Sequence, residues 1–202
     1  MGETGPPLVI VVSGPSGVGK DALVDRIVES SEQFARPVTM TTRPPRPGEV
    51  PGRDYIFVTA GEFQRHLESG ELLEHAEIYE KGQYGLPREE LRRALDTGRD
   101  VILRVDVQGV ASLRDLIPAA IFVMLVPDSL EHLETHLRAR GEMHDDGDRE
   151  RRLAEAGREM ARRDLFDYVV VNVEGELDVA VERVLAIAAE ERARPDRAPV
   201  VV

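Results

Sequence analysis

Residues 8–21 read L-V-I-V-V-S-G-P-S-G-V-G-K-D, an apolar run followed directly by a loop that is rich in glycine. The run at 8–13 consists mostly of β-branched residues between Pro and Gly, which is typical of a buried strand in a parallel sheet. Beyond the loop, Leu23, Val24 and Ile27 recur at helical spacing. The stretch therefore predicts a strand, a glycine-rich loop and a helix in direct succession.

The spacing of glycine and lysine in this loop, G-x4-G-K, is a phosphate-binding signature when a strand precedes it and a helix follows it. Glycines allow consecutive backbone N–H groups to turn inward around a phosphate, and the helix N-terminus adds positive potential. Lys20 supplies a point charge for the β- and γ-phosphates. We expect a nucleoside triphosphate to be held by the loop and its two following residues: Gly14, Pro15, Ser16, Gly17, Val18, Gly19, Lys20 and Asp21.

Asp21 departs from the signature, which has Ser or Thr after the lysine as a ligand of Mg²⁺. A carboxylate is also a hard oxygen ligand, so Asp21 can hold Mg²⁺ directly or through water. Its negative charge opposes nucleotide binding when the metal is absent. Asp21 is therefore the candidate metal ligand.

Composition narrows the function classes. The chain of 202 residues, with 42% apolar residues, is long enough for one domain with a sizeable core. Its net charge of −12 disfavours non-specific nucleic-acid binding. The absence of cysteine excludes disulfides, thiol catalysis and Cys-ligated metals. With no long apolar run and no visible secretory signal, we expect a cytoplasmic protein without membrane contacts, a monomer or small homo-oligomer.

Further apolar runs predict the rest of the architecture. Residues 101–107, 120–126 and 168–173 read as buried strands, and helical patterns alternate with them. This alternation predicts an α/β fold, an open parallel sheet flanked by helices with right-handed crossovers. Residues 38–86, rich in short strands and turns, break the rhythm and are predicted to form an inserted subdomain.

A second anion site is predicted within that insertion. Arg43 and Arg46 are three residues apart in a loop stiffened by prolines, so their guanidinium groups can converge on one phosphate. The hydroxyls of Tyr55 and Tyr84 can donate to the same group. A solvated basic loop is the simpler alternative for this segment alone.

Several segments together make the pattern specific. They are S-G-P-S-G-V-G-K at 13–20, T-T-R-P-P-R-P-G-E-V-P-G-R-D-Y-I-F-V at 41–58, E-L-L-E-H-A at 71–76, Q-Y-G at 83–85, V-D-V-Q-G-V at 105–110, L-R-A-R-G at 137–141 and D-Y-V-V-V-N at 167–172. In this order and spacing the chain resembles the guanylate kinase family over nearly all of residues 8–190. The resemblance implies transfer of the γ-phosphate of ATP to GMP, with Mg²⁺ as the cofactor and the two nucleotides as the small-molecule partners.

The resemblance also implies residue roles. Phosphoryl transfer would depend on Lys20, Arg43, Arg140 and Arg152, and Asn172 would join the ATP site. The GMP site would comprise Thr39, Arg43, Arg46, Glu49, Tyr55, Glu74, Tyr84, Gly85 and Asp106, of which Thr39, Glu74 and Asp106 would read the guanine. Carboxylates suit guanine because its N1–H and N2 amine are donors, whereas adenine would leave them unpaired.

The expected division is a single domain, 1–202, of a P-loop kinase core with a mixed α+β GMP-binding subdomain and a small lid. The core covers 8–37, 87–139 and 156–191, the GMP-binding subdomain 38–86, the lid 140–155 and a loose tail 192–202.

Other positions depart from the family pattern. Arg104 stands where the family commonly has an acidic residue, Leu86 follows Gly85 in place of Ser or Thr, and His136 takes the place of a lid arginine. We hypothesise that Asp21 and Arg104 compensate each other's charge. Two alternative functions stay open: a ribose 1,5-bisphosphate phosphokinase, whose similar loop also carries Lys-Asp, and a catalytically silent guanylate-kinase-like binding module.

Overall fold

The apolar run near the N-terminus forms the central strand of a parallel sheet in the computed structural model, which describes residues 5–78, 82–139 and 145–202. Within those residues the strands are β1 (Val9–Ser13), β2 (Phe34–Ala35), β3 (Met40–Thr41), β4 (Ile56–Phe57), β5 (Leu72–Ile78), β6 (Gly82–Pro87), β7 (Asp100–Arg104), β8 (Ile121–Pro127) and β9 (Tyr168–Asn172). The helices are α1 (Lys20–Ser30), α2 (Ala60–Glu68), α3 (Arg88–Asp96), α4 (Val107–Leu116), α5 (Leu130–Ala139), α6 (Asp146–Met160) and α7 (Leu177–Arg192).

The main sheet has the strand order β2-β7-β1-β8-β9, and each neighbouring pair is parallel. Alternate residues of β1 serve two separate cores. Ile10 and Val12 join the cluster that α1 and α7 cover, whereas Val9 and Val11 join the cluster that α3 and α4 cover. Because successive strand side chains point to opposite faces, this split requires helices on both sides of the sheet. The predicted α/β fold with a parallel sheet flanked by helices is confirmed.

A second sheet, with the order β4-β3-β6-β5, is built from the chain between β2 and α3. It is mixed: β3 pairs in parallel with β4, and β6 pairs antiparallel with both β3 and β5. Its strands β5 and β6 contribute Leu73 and Leu86 to the core cluster of α3 and α4. The second sheet is therefore anchored on the same side of the main sheet as α4.

Local sequence signals mark the start of α2 but not the short strand β2. Thr59 and Glu62 form the capping box that their spacing predicts at the start of α2, with the Thr59 hydroxyl accepting from the Glu62 N–H at 3.2 Å. The strand β2 has only two residues and carries no periodic signal, so sequence patterning could not reveal it.

The segment after α7, predicted to be loose, contacts the body of the protein. Val200 and Val202 pack against the core cluster of α3 and α4, and Arg92 donates to the carbonyl of Val202 at 2.9 Å. Within the described ranges, no helix has the length and apolar character that crossing a membrane requires.

Candidate active site

A cavity of about 880 Å³ opens between the phosphate loop, the second sheet and α6. Seven basic and five acidic side chains lie among its lining residues, so the cavity is locally positive in a protein whose net charge is −12. The basic residues are Lys20, Arg43, Arg46, Arg104, Arg151, Arg152 and Arg158, and the acidic ones are Asp21, Glu77, Asp106, Glu155 and Glu159. Such a lining suits anionic ligands.

The phosphate loop connects β1 to α1, and two of its glycines are required by close contacts. A Cβ on Gly14, whose φ is 145°, would lie 2.0 Å from the carbonyl oxygen of Leu125. A Cβ on Gly19, whose φ is 97°, would lie 2.8 Å from Nδ2 of Asn172. The same Asn172 amide donates to the Val18 carbonyl at 2.9 Å. Asn172 therefore supports the loop from the end of β9.

Lys20 is the first residue of α1, and its ammonium group points back into the loop. Nζ donates to the carbonyls of Gly14 at 2.6 Å and Pro15 at 3.1 Å, and lies 4.0 Å from the Asp106 carboxylate. Burial lowers the pKa of the Lys20 ammonium, and Asp106 opposes that shift. The ammonium therefore lies in a site where an approaching phosphate would strongly stabilise its charge.

Asp21 and Arg104, the two residues at which the family pattern is reversed, form an ion pair with each other. Arg104, at the end of β7, also donates from Nη2 to the Tyr55 hydroxyl at 2.5 Å. Its pKa is raised: burial acts to lower it, but the charges of Asp21, Tyr55 and Asp106 outweigh burial. Arg104 thus links the first turn of α1 to Tyr55, the residue directly before β4.

Arg43 is held by several groups at once. Its guanidinium makes two hydrogen bonds to Glu49, of 2.7 and 2.5 Å, and donates from Nε to the Tyr84 hydroxyl at 3.1 Å. It also lies over the Tyr55 ring, 4.8 Å from the centroid. The hydrogen bonds from Arg43 lower the pKa of Glu49 to about 2, helped by the Arg46 backbone N–H. Glu49 therefore orients Arg43, while the exposed Arg46 lines the cavity.

Glu74 and Asp106 are neighbouring carboxyl groups, of which Asp106 lines the cavity and Glu74 does not. Glu74 lies on β5 and is only 8% exposed, and burial raises its pKa to about 7, with the nearby Asp106 charge adding to the shift. A Cβ on Gly109, in the first turn of α4, would lie 2.9 Å from Oε2 of Glu74. A larger residue at 109 would therefore press on the end of the Glu74 side chain.

The helix α6 covers the phosphate-loop end of the cavity. Burial raises the pKa of Glu159 to about 7, although Lys20 and the backbone N–H of Ser16 favour its charged form. The Glu159 carboxyl group thus accepts a hydrogen bond from the Ser16 N–H, one of the loop's backbone donors. Arg152 and Glu155 lie on the same face as Glu159, since their positions are three and four residues apart.

The sequence predicted Arg152 as a site residue but not Glu159. The spacing of positions 152, 155 and 159 on one helix face could have indicated Glu159 as well. Seven of the predicted site residues that the structure describes do not line the cavity: Gly14, Pro15, Thr39, Glu49, Glu74, Gly85 and Asn172. Thr39 accepts the Ile56 N–H at 2.9 Å through its carbonyl, and Gly85 lies on β6. Arg140 lies outside the described residues.

Comparisons with known proteins agree on one family. The guanylate kinase family model matches residues 7–191. The chain is 46% identical to guanylate kinase 2, chloroplastic/mitochondrial, of Oryza sativa subsp. japonica over 93% of its own length and 66% of that protein. It is 41% identical to the guanylate kinase of Wolbachia sp. subsp. Brugia malayi (strain TRS), covering 92% of this chain and 93% of that one.

A solved structure gives the same result. The crystal structure of guanylate kinase from Anaplasma phagocytophilum superposes with a TM-score of 0.73 at 30% identity, over 95% of this chain and 89% of that one. With the match of the family model over most of its length, this chain belongs to the guanylate kinase family.

Proposed function

We propose that this protein transfers the γ-phosphoryl group of ATP to the phosphate of GMP, producing ADP and GDP. The observation that carries the proposal is that one cavity is lined both by the phosphate loop with Lys20 and by Arg43, Arg46 and Tyr84. Two anionic groups bound at these ends would face each other within one cavity. Family membership supports the same reaction.

On the donor side, the loop amides and Lys20 would bind the β- and γ-phosphates of ATP. Lys20 would exchange its contacts with the Gly14 and Pro15 carbonyls for phosphate oxygens, and its lowered pKa would rise again. Glu159 would have to leave the Ser16 N–H, because a carboxylate and a phosphate cannot share that donor. ATP binding and movement of α6 are therefore coupled in this proposal.

On the acceptor side, Arg43, Arg46, Tyr55 and Tyr84 would hold the GMP phosphate, with Glu49 keeping Arg43 in position. Glu74 and Asp106 would accept hydrogen bonds from the guanine N1–H and N2 amine. Glu74 is buried and has a raised pKa, so it gains most when a donor pairs with it.

The residues present fit Mg²⁺ that arrives with ATP. Asp21 and Asp106 offer carboxylate oxygens, which Mg²⁺ prefers, and Mg²⁺ commonly binds through one or two carboxylates plus substrate phosphates. Since Arg104 pairs with Asp21, this carboxylate adds little net negative charge beside the triphosphate. We propose that Asp21 holds the ion directly or through water. When bound, Mg²⁺ supplies electrostatic stabilisation of the phosphate charge.

In the transfer step, the bond between the γ-phosphorus and the β–γ bridging oxygen breaks, and a bond forms from a GMP phosphate oxygen to that phosphorus. The acceptor oxygen is already anionic, so no general base is needed. Lys20, Arg43 and Arg152, with Arg140 in the proposed lid, would position the groups and neutralise the transferring charge.

The proposal also assigns a role to each subdomain. Residues 38–86 would be the acceptor subdomain, and 140–155 a lid that excludes water when it closes. Members of the family work in more than one compartment, since one relative's name assigns that protein to chloroplasts or mitochondria.

The test is a coupled assay of ADP release with GMP, AMP or ribose 1,5-bisphosphate as acceptor. We expect GMP to be preferred over AMP by about 10⁴-fold in kcat/KM, as in sites whose polar groups the wrong ligand leaves unpaired. The variant Lys20→Met is the negative control, since it lacks the ammonium group proposed to bind the ATP phosphates. Preference for the ribose bisphosphate would establish the alternative kinase, and no ADP release with any acceptor would indicate a silent module.

A further inference from the structure

A compact cluster of metal-ligand side chains lies outside the nucleotide cavity. His132 and His136 are one turn apart on α5, and Glu174 follows β9. Nε2 of His132 lies 2.8 Å from Oε2 of Glu174, and Nε2 of His136 lies 3.5 Å from Oε1. One ligand atom from each residue can be chosen so that all three lie within 4.8 Å of one another. Both histidines therefore present the same ring nitrogen to one carboxylate.

The other ring nitrogens are held by the surrounding protein. Nδ1 of His132 lies 2.8 Å from Oδ1 of Asp128, and Nδ1 of His136 lies 3.1 Å from the carbonyl of Gly17. Both partners are acceptors, so each Nδ1 carries the proton and each Nε2 presents its lone pair. A carboxylate or carbonyl on the second nitrogen is the usual support of a metal-bound histidine.

This arrangement leaves His132 without a satisfactory partner. Its side chain is 3% exposed, and its Nε2 makes no hydrogen bond of acceptable geometry despite the short distance to Glu174. Two lone pairs facing each other in a buried place repel, unless a cation lies between them. Either a second proton on the imidazole or a metal ion can supply that charge.

We propose that His132, His136 and Glu174 bind one divalent transition-metal ion of the Zn²⁺ type, with a fourth position open to solvent. Two imidazoles and a carboxylate suit Zn²⁺. Bond lengths of about 2.1 Å in a tetrahedron place ligand atoms roughly 3.4 Å apart, between the two separations observed here. Glu174 is 52% exposed and gives the ion a route of entry.

The site would act on the phosphate loop from outside the cavity. His136 contacts Gly17, and Glu174 follows Asn172, which supports Val18. Asp128 contacts two members of the cluster: its carboxylate faces Nδ1 of His132 and accepts the Glu174 backbone N–H at 3.2 Å. A bound ion would fasten α5 to the segment after β9, and α5 and the end of β9 both contact the loop. Mg²⁺ would not replace it, because imidazole nitrogens are poor ligands for Mg²⁺.

The experiment uses untagged, EDTA-stripped protein, dialysed against Zn²⁺ and assayed by metal analysis, calorimetry and thermal unfolding. We expect one equivalent of tightly bound Zn²⁺, a rise in Tm of about 5 °C in excess metal, and no displacement by excess Mg²⁺. Co²⁺ should give the visible absorption of a four-coordinate site.

Variants locate the ion. Glu174→Gln and His136→Gln should each weaken Zn²⁺ binding at least about 10-fold, and Asp128→Asn should weaken it less. The control Glu176→Gln removes an exposed carboxylate whose side chain makes no cap hydrogen bond, and it should bind Zn²⁺ like the unaltered protein. Absence of bound Zn²⁺, or equal binding by Glu174→Gln, would overturn the proposal. Phosphoryl-transfer activity is not the readout, so failure here leaves the proposed function standing.

Discussion

The donor and acceptor ends of the cavity are built in opposite ways. The phosphate loop is one continuous stretch, and the groups proposed to bind phosphate there are mainly backbone N–H groups and Lys20. The acceptor end gathers side chains from separate elements: Arg43 and Glu49 after β3, Glu74 from β5 and Arg104 from β7. Backbone donors are fixed by local conformation, whereas side-chain donors depend on partners that hold them. The two ends should therefore respond differently to mutation.

The largest effect is expected at the donor end. Lys20→Met should lower kcat by about 10³-fold, the scale of losing one preorganised charge at the reacting phosphates. The free energy of unfolding should stay the same or rise, because the lysine is buried and its pKa is lowered there. Steady-state kinetics and urea unfolding measure the two quantities. The control Lys20→Arg keeps the charge but should also be impaired, because the buried site has little room; full activity of Lys20→Arg would contradict this view of the loop.

At the acceptor end, Arg43→Lys should reduce kcat/KM for GMP by about 10²-fold and leave KM for ATP nearly unchanged. A lysine keeps the charge but cannot make the paired contacts with Glu49 and a phosphate. The control is Arg53→Lys, an exposed arginine beside Asp54, which should behave like the unaltered enzyme. An equal rise of KM for both nucleotides would show that Arg43 does not belong to the acceptor end alone.

Glu74→Gln should lower kcat/KM for GMP by about 10- to 100-fold, because a guanine donor loses its carboxylate acceptor. The loss should depend on pH. Below about pH 7 the unaltered Glu74 is protonated, so its KM for GMP should rise as pH falls from 8 to 6, more steeply than in Glu74→Gln. Titration of GMP itself affects both proteins equally, so the difference between their pH profiles reports on Glu74.

The same substitution predicts a stability trend. The pKa of Glu74 is about 7 in the fold against 4.5 ordinarily, so the folded protein keeps a proton that the unfolded chain releases between those values. Glu74 therefore costs stability as pH rises through that window, by at most about 3 kcal/mol. The stability of Glu74→Gln relative to the unaltered protein should increase from pH 5 to pH 8 in urea unfolding. A constant difference would show that Glu74 titrates normally.

The smallest effect concerns the contact between the two ends, the Asp21–Arg104 pair. Asp21→Ser and Arg104→Asp alone should each lower kcat/KM about 10-fold, since each leaves a charge unpaired beside the nucleotide phosphates. The double substitution should recover most of the combined loss, so the coupling free energy should be about 2 kcal/mol, within the range for residues in direct contact. Additive losses in this cycle would show that the pair is not compensatory.

The donor end could be predicted from the sequence more completely than the acceptor end. The β1–loop–α1 unit could be predicted because its signal is local: an apolar run, spaced glycines and a lysine. The spacing of Arg43 and Arg46 predicted the second anion site, and the family resemblance supplied Thr39, Glu74 and Asp106 as candidates for reading the guanine. The sequence could not show that Glu49, expected in the GMP site, holds Arg43 through paired hydrogen bonds. Nor could it show that Gly109 lies against the Glu74 carboxyl, since these residues are far apart in the chain. The Asp21–Arg104 contact was hypothesised from two matching departures. The His132–His136–Glu174 cluster escaped notice because Glu174 lies far along the chain.

The central claim is that both anion sites open into one cavity, so that phosphate passes directly between two bound nucleotides. A crystal structure with ADP and GMP tests it most directly. We expect Lys20 to have left the Gly14 and Pro15 carbonyls for the β-phosphate, with Arg43 and Arg46 on the GMP phosphate across the cavity. A monophosphate bound elsewhere, with both arginines turned away from it, would contradict the account.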